Sequence, residues 1–316
     1  MTVRAKGRAC AVAACLVLAS CSSPQPEKSP GPTFEGTFSA EFGPRTTVQG
    51  TEVADTAVTV TWVTRSACSD SGCVATATEV APPDDEDPRP PNMVFDHVDG
   101  RWVSVRAVPS QCLTPNGQTM NVEGWQAYSL TPRPDGSLVG TYTNRSSVGG
   151  ACHSSTQSVT VTRTADADPS VKVADPAAQP TRVASPGANL WGEYVQTQTN
   201  HQTGEQYPPT TYIGNTQCLR TGDTCLSYLV EPHTEALLVL TFAAGKWTSS
   251  SAPDYTPCES GGPAASVLTG EYALPQPVPD PITTLTGIQR TIRTGACPGE
   301  LTVDVKLDRT GDGPGR

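Results

Sequence analysis

The sequence predicts an all-β protein: two tandem homologous domains, each an antiparallel β-meander of about eight strands. Each meander is expected to close as a small barrel or fold as a sandwich, stapled by disulfides. Three observations carry this. Apolar and polar residues alternate with a period of two, as in Phe34, Gly36, Phe38, Ala40 and Phe42 or in Val58, Val60 and Trp62. Eight cysteines fall into two sets of four with matching neighbours. Thirty prolines and 28 glycines, set against a hydrophobic content of 36%, imply small cores and many turns.

The first element is a leader over residues 1–20. Arg4, Lys6 and Arg8 precede an apolar run from Ala9 to Ala19 that is too short to span a bilayer, so it reads as a secretory segment. Leu18, Ala19, Ser20 and Cys21 together read as a bacterial lipobox. The small residues suit a signal peptidase pocket, and the Cys21 thiol is the atom a lipoprotein transferase alkylates. The segment resembles a lipoprotein signal peptide, and the expected product is a palmitate-bearing protein held at the extracytoplasmic face of the cell membrane through Cys21. The membrane is thereby its first expected partner. Residues 21–33, which include SSPQPEKSPGPT, lack apolar periodicity and are expected to form an extended tether. The leader holds three basic residues and no acid, so the exported part carries 18 basic and 31 acidic residues, a net charge of −13. Such a surface repels nucleic acid, and none is expected as a partner.

Copy one spans residues 34–165. Strands are expected near 34–42, 57–65, 73–79, 92–98, 101–108, 125–131, 138–145 and 157–164, where Thr and Val crowd the runs. Asp99-Gly100 and Asp135-Gly136 supply the positive-φ residues that tight hairpins need. Trp102, Ser104 and Arg106 alternate against Val103, Val105 and Ala107. A linker rich in Asp, Pro and Ala spans 166–188, and copy two covers 189–312. TWVTRSAC at Thr61–Cys68 matches TYIGNTQC at Thr211–Cys218; VFDHVDGRW at Val94–Trp102 matches LTFAAGKW at Leu240–Trp247. TVTRT (Thr160–Thr164) matches DVKLDRT (Asp304–Thr310). Agreement in order, spacing and flanks identifies a tandem duplication.

Cys10 and Cys15 belong to the leader. The remaining eight, Cys68, Cys73, Cys112, Cys152, Cys218, Cys225, Cys258 and Cys297, are an even number in an oxidising compartment. Cys68 and Cys73 flank SDSG, while Cys218 and Cys225 flank the longer LRTGDT. A loop that tolerates two extra residues between fixed cysteines suggests a hairpin tip stapled at its base. That pairing leaves Cys112 with Cys152 and Cys258 with Cys297, although four cysteines permit three pairings per copy. Zinc is the competing use, but its spacing is absent and no metal or other cofactor is expected.

The chain shows no catalytic constellation, and no catalytic residue is assigned. His97, His153, His201 and His233 have no counterparts between copies, and no GxSxG, HExxH, P-loop or Rossmann fingerprint occurs. Cys152-His153 suggests a thiolate–imidazole pair, yet Cys152 aligns with Cys297 and is better used in a disulfide. Asp84, Asp85 and Asp87 lie in an acidic, Pro-stiffened loop without the spacing of a calcium site. Asn144-Arg145-Ser146 is a formal glycosylation sequon without meaning in a bacterial lipoprotein. Trp102 and Trp247 follow equivalent turns and are expected to anchor the cores, whereas Trp125, Trp191 and Tyr194 lack clean partners.

VTRSACSDSGCVATATEV, MVFDHVDGRWVSV and LTPRPDGSLVGTYT in copy one, with YIGNTQCLRTGDTCLSYLV in copy two, resemble an exported cysteine-containing domain of mycobacteria and related actinobacteria. Such domains occur in lipoproteins and at the extracytoplasmic ends of some membrane serine/threonine kinases. The resemblance implies an outward-facing, non-enzymatic sensor or binding role toward an envelope ligand or protein partner. It brings no residue-level active site. Two other readings follow from the residues: a carrier of an apolar ligand in a barrel lined by Val58, Val60 and Trp62, and a cell-wall hydrolase using His97 or His153.

Overall fold

The computed structural model describes residues 32–47, 50–53, 57–80, 92–113, 117–150, 154–234 and 237–313. Cys21 and the rest of the leader, the Asp84, Asp85 and Asp87 loop, and Cys152 with His153 lie outside the described residues. The fold is two closed eight-stranded antiparallel barrels in tandem. None of the described helices is long and apolar enough to cross a membrane.

The first barrel comprises β1 (Gly36–Phe42), a two-residue β2 (Thr46–Thr47), β3 (Val58–Ser69), β4 (Gly72–Val80), β5 (Met93–Val98), β6 (Arg101–Leu113), β7 (Thr119–Pro132), β8 (Leu138–Ser146) and β9 (Ser155–Ala165). Strands pair in sequence order, β1 closes the ring against β9, and β2 adds a short rung beside β9. The second barrel runs β10 (Gly192–Asn200), β11 (Thr210–Cys218), β12 (Thr224–Val230), β13 (Leu237–Ala243), β14 (Lys246–Ser250), β15 (Ala264–Ala273), β16 (Thr284–Gly295) and β17 (Gly299–Gly311), with β10 closing on β17.

Period-two patterning explains the interiors. Phe34, Phe38, Trp62, Phe95 and Trp102 point inward and are buried. Their rings meet edge-on: Phe34 stands 5.0 Å from Phe38 and Trp62 stands 5.5 Å from Tyr128. Tyr194, Phe242, Trp247 and Tyr272 fill the second barrel, with Phe242 and Trp247 at 4.7 Å. Trp102 and Trp247 are thus core anchors in both copies. Among the described residues the indole N–H groups of Trp62, Trp102 and Trp247 meet no acceptor, so these rings serve as apolar filler. Val58 departs from its expected interior place. It is 49% exposed, because β3 begins at the barrel rim and its inward-facing parity there points past the last layer of side chains.

Both barrels close with the same clasp. Gly36 and Gly192 take φ of +136° and +111°, and a Cβ on either would come within 2.8 Å of a facing backbone oxygen. The ladder slips by one residue immediately after each, at Thr37/Phe38 and Glu193/Tyr194. An arginine on the last strand spans the irregularity. Arg163 Nε donates to the Glu35 carbonyl and Nη2 to Asp166 Oδ1, at 3.1 and 2.6 Å. Arg309 does the same with the Trp191 carbonyl and Asp312, at 3.1 and 2.5 Å.

Asp99 and Gly100 both have positive φ, as a two-residue type I′ hairpin requires. The equivalent turn in copy two places Ala244 at φ +51°. Strands β6 and β7 run beyond the ring as a two-stranded ribbon in which Pro109 faces Glu123.

Candidate functional site

Residues between the copies pack rather than dangle. Thr76 and Thr78 on β4 donate to the carbonyls of Ala174 and Lys172 at 2.6 and 3.1 Å, and Val173 is buried. A 3₁₀ turn at Pro176–Ala178 follows, capped by Asp175. A second at Pro186–Asn189 plugs one mouth of the second barrel. There Gly187 sits so close to Phe242 that a Cβ would stand 2.7 Å from the ring.

The barrels then meet at a seam. Leu226, Tyr228 and Val239 point outward from β12 and β13 and cluster with Trp125 of the first barrel; Val105 and Ala107 support them. These are the outward members of the β6 alternation. Trp125 is fully buried, and its Nε1 donates to Glu123 at 2.8 Å. The Arg145 guanidinium lies 4.9 Å from the centre of the Tyr228 ring, whose hydroxyl shares a hydrogen bond with Ser154. Burial pulls the Arg145 pKa down and pushes that of Tyr228 up. Gln217 Nε2 donates to Thr143 at 3.1 Å. Main-chain bonds join Gly149 to Ser250 and Ala252 at 3.0 and 2.8 Å.

The disulfides explain how the second barrel reaches the first. Cys68–Cys73 and Cys218–Cys225 staple hairpin tips with Cα–Cα distances of 4.0 and 3.9 Å, and Cys258–Cys297 joins a loop to the β16–β17 turn at 5.9 Å. Cys112 is also disulfide-bonded; its expected partner, Cys152, lies outside the described residues. The longer LRTGDT tip carries Leu219 into the seam and Arg220 onto Asp96 of β5, where Nε meets both carboxylate oxygens at 2.9 and 3.0 Å. Arg182 lies 3.7 Å from the same carboxylate. Asp96 is thus a buried anion held by two cations from beyond its own barrel.

A second feature is an open cleft of about 820 Å³ at one mouth of the first barrel. It lies between Glu35 and Arg65, flanked by Arg163 and Asp166 of the clasp and by Asp175 of the connecting segment.

The described histidines, His97, His201 and His233, do not converge. His97 packs edge-on against Trp102 at 5.1 Å, and burial lowers its pKa. His201 makes an exposed pair with Asp304 at 3.0 Å, and exposed His233 lies in a turn. Among the described residues no group of three metal-ligating side chains assembles. In the second barrel Tyr194 donates to the Ile282 carbonyl at 2.7 Å, and burial pushes its pKa up to about 12. Gln198 bonds Gln289, which bonds Tyr272, at 2.8 and 2.7 Å. These contacts lock the interior.

Residues 31–178 match the family model described as the PknI serine/threonine-protein kinase sensor domain. The match covers the first barrel and part of the connecting segment, so the expected likeness to exported kinase domains is borne out there. Among solved structures the chain is similar to the monomer form of the M. tuberculosis PknI sensor domain. That similarity stands at 24% identity over 46% of this chain and 97% of that one, with a TM-score of 0.37. For the dimer form the values are 22%, 54%, 99% and 0.33. A Nostoc punctiforme protein of unknown function from the DUF3598 family gives 10%, 87%, 96% and 0.22. No match is found among curated proteins.

Proposed function

We propose that this protein is a non-enzymatic extracytoplasmic sensing module, anchored to the membrane by a lipid on Cys21, that binds envelope material or a protein partner. The observation that carries the reading is the match of residues 31–178 to a kinase sensor domain. The disulfides support export, since such bonds persist in oxidising compartments. The aromatic filling of both barrels favours surface recognition over carriage of an apolar cargo.

Two measurements test the reading. Cell fractionation should find the protein with the membrane and open to protease added outside, and Cys21→Ala should release it or leave it unprocessed. Membrane retention of a Cys21→Ala protein whose leader has been removed would overturn the anchor. Envelope extract passed over the immobilised protein should leave a bound component that elutes chemically unaltered; its conversion to product would overturn the non-enzymatic role.

A further inference from the structure

The two barrel mouths, compared position by position, differ at the residue preceding the clasp glycine. Strand register sets Gly36 opposite Thr64 and Gly192 opposite Gly214, so Glu35 in the first copy corresponds to Trp191 in the second. In the second barrel the Arg309 guanidinium lies over the Trp191 ring at 4.6 Å, and its side chain is only 14% exposed. In the first, Arg163 is gripped by the same two kinds of group, a carbonyl and an aspartate, yet its side chain is 50% exposed. The face that Trp191 covers in one copy borders the open 820 Å³ cleft in the other.

Further chemistry gathers there. Arg65 is exposed on β3 and makes no ion pair among the described residues. Ser66 forms part of the wall and accepts from the Phe34 N–H at 3.2 Å. Glu35, Asp166 and Asp175 line the rim and disfavour multiply charged anions such as phosphate esters.

We infer that this cleft binds an aromatic ring carrying a single carboxylate. The ring takes the place on Arg163 that Trp191 holds on Arg309, since a guanidinium fixed by two partners presents its plane for stacking. The carboxylate pairs with Arg65, whose planar fork matches it bidentately. The second copy therefore carries its own occupant, and the first takes one from outside. The inference rests on the binding role proposed above and names a ligand class for it.

The test titrates the detergent-solubilised mature protein with N-acetyltryptophan by calorimetry or ligand-observed NMR. N-acetyltryptophanamide, which differs only in lacking the carboxylate, and N-acetylalanine, which lacks the ring, serve as controls. One site is expected, at least tenfold tighter for N-acetyltryptophan than for either control. Glu35→Trp should install the second-copy arrangement and abolish binding. Arg65→Gln, at an exposed side chain with no ion pair among the described residues, should weaken binding about tenfold while leaving the thermal midpoint unchanged. Tighter binding of Gly-Gly-Trp than of indole-3-acetate would assign the ligand to a peptide terminus, and the reverse order to a free aromatic acid; either supports the cleft. Equal binding of the controls, or full binding to a folded Glu35→Trp protein, would overturn the inference. Capture of another envelope component without any response to N-acetyltryptophan would sink the cleft and leave the sensing role standing.

Discussion

Arg220, on the stapled tip of the second barrel, holds the Asp96 carboxylate of the first with its Nε at 2.9 and 3.0 Å from the two oxygens. Both groups are largely buried, their side chains 16% and 9% exposed. Removing Arg220 leaves the buried Asp96 carboxylate with only the more distant, partly exposed Arg182 at 3.7 Å, which costs about 3 kcal/mol. Arg220→Ala should therefore destabilise the protein by about that amount in denaturant titration. Asp96→Asn combined with Arg220→Gln should cost clearly less than the single change, because no buried charge is stranded.

Trp125 gives the seam its apolar centre. Trp125→Ala removes a fully buried ring from the contact with Leu226, Tyr228 and Val239 and should cost about 3 kcal/mol. Calorimetry should then resolve two transitions, against a single one expected for the parent, since the lesion lies between the barrels.

The clasp glycines should be far less tolerant than glycines elsewhere. Gly192→Ala forces a Cβ to within 2.5 Å of the Gly311 carbonyl at φ +111°, and a loss of about 2 kcal/mol is expected. Gly299→Ala, where a Cβ meets nothing within 4 Å, should be near neutral by the same denaturant assay.

Ala244 offers the opposite outcome. It occupies a left-handed turn position at φ +51°, where an L-residue without a short polar side chain is strained. Ala244→Asn should raise stability by about 0.5 kcal/mol, read as an upward shift of the thermal midpoint.

His97 sets a pH dependence. Burial lowers its folded pKa below the ordinary 6.5, so the unfolded chain binds a proton more readily. Its contribution is present above about pH 6.5 and is lost as pH falls through the lower folded value. Denaturation midpoints should fall more between pH 7.5 and 5.5 in the parent than in His97→Gln.

Much of this architecture can be read from the residues, for physical reasons. Side-chain alternation is imposed by the pleat, so Phe34 to Phe42 and the run at Trp102 announce strands. The LRTGDT and SDSG loops announce stapled tips because insertions concentrate where strands turn. The seam was not legible: Val105, Ala107 and Leu226 look like ordinary outward strand residues until a second barrel covers them. Pro109 concealed the length of β6, since proline argues against a strand interior unless its nitrogen faces away from the ladder. The clasp lay in plain view in the matched arginines of TVTRT and DVKLDRT. Its purpose depends on a ladder slip that no periodicity reveals. The cleft is not legible in copy one alone, because Glu35 stands where copy two has Trp191 and only that difference uncovers the Arg163 face.

Two eight-stranded barrels are fused into one body through the Trp125 seam. Pulsed dipolar spectroscopy between spin labels at exposed Ser71 on the first barrel and exposed Thr294 on the second tests it directly. The seam predicts a single narrow distance distribution that broadens in Trp125→Ala. A broad or multimodal distribution in the parent protein would contradict the account.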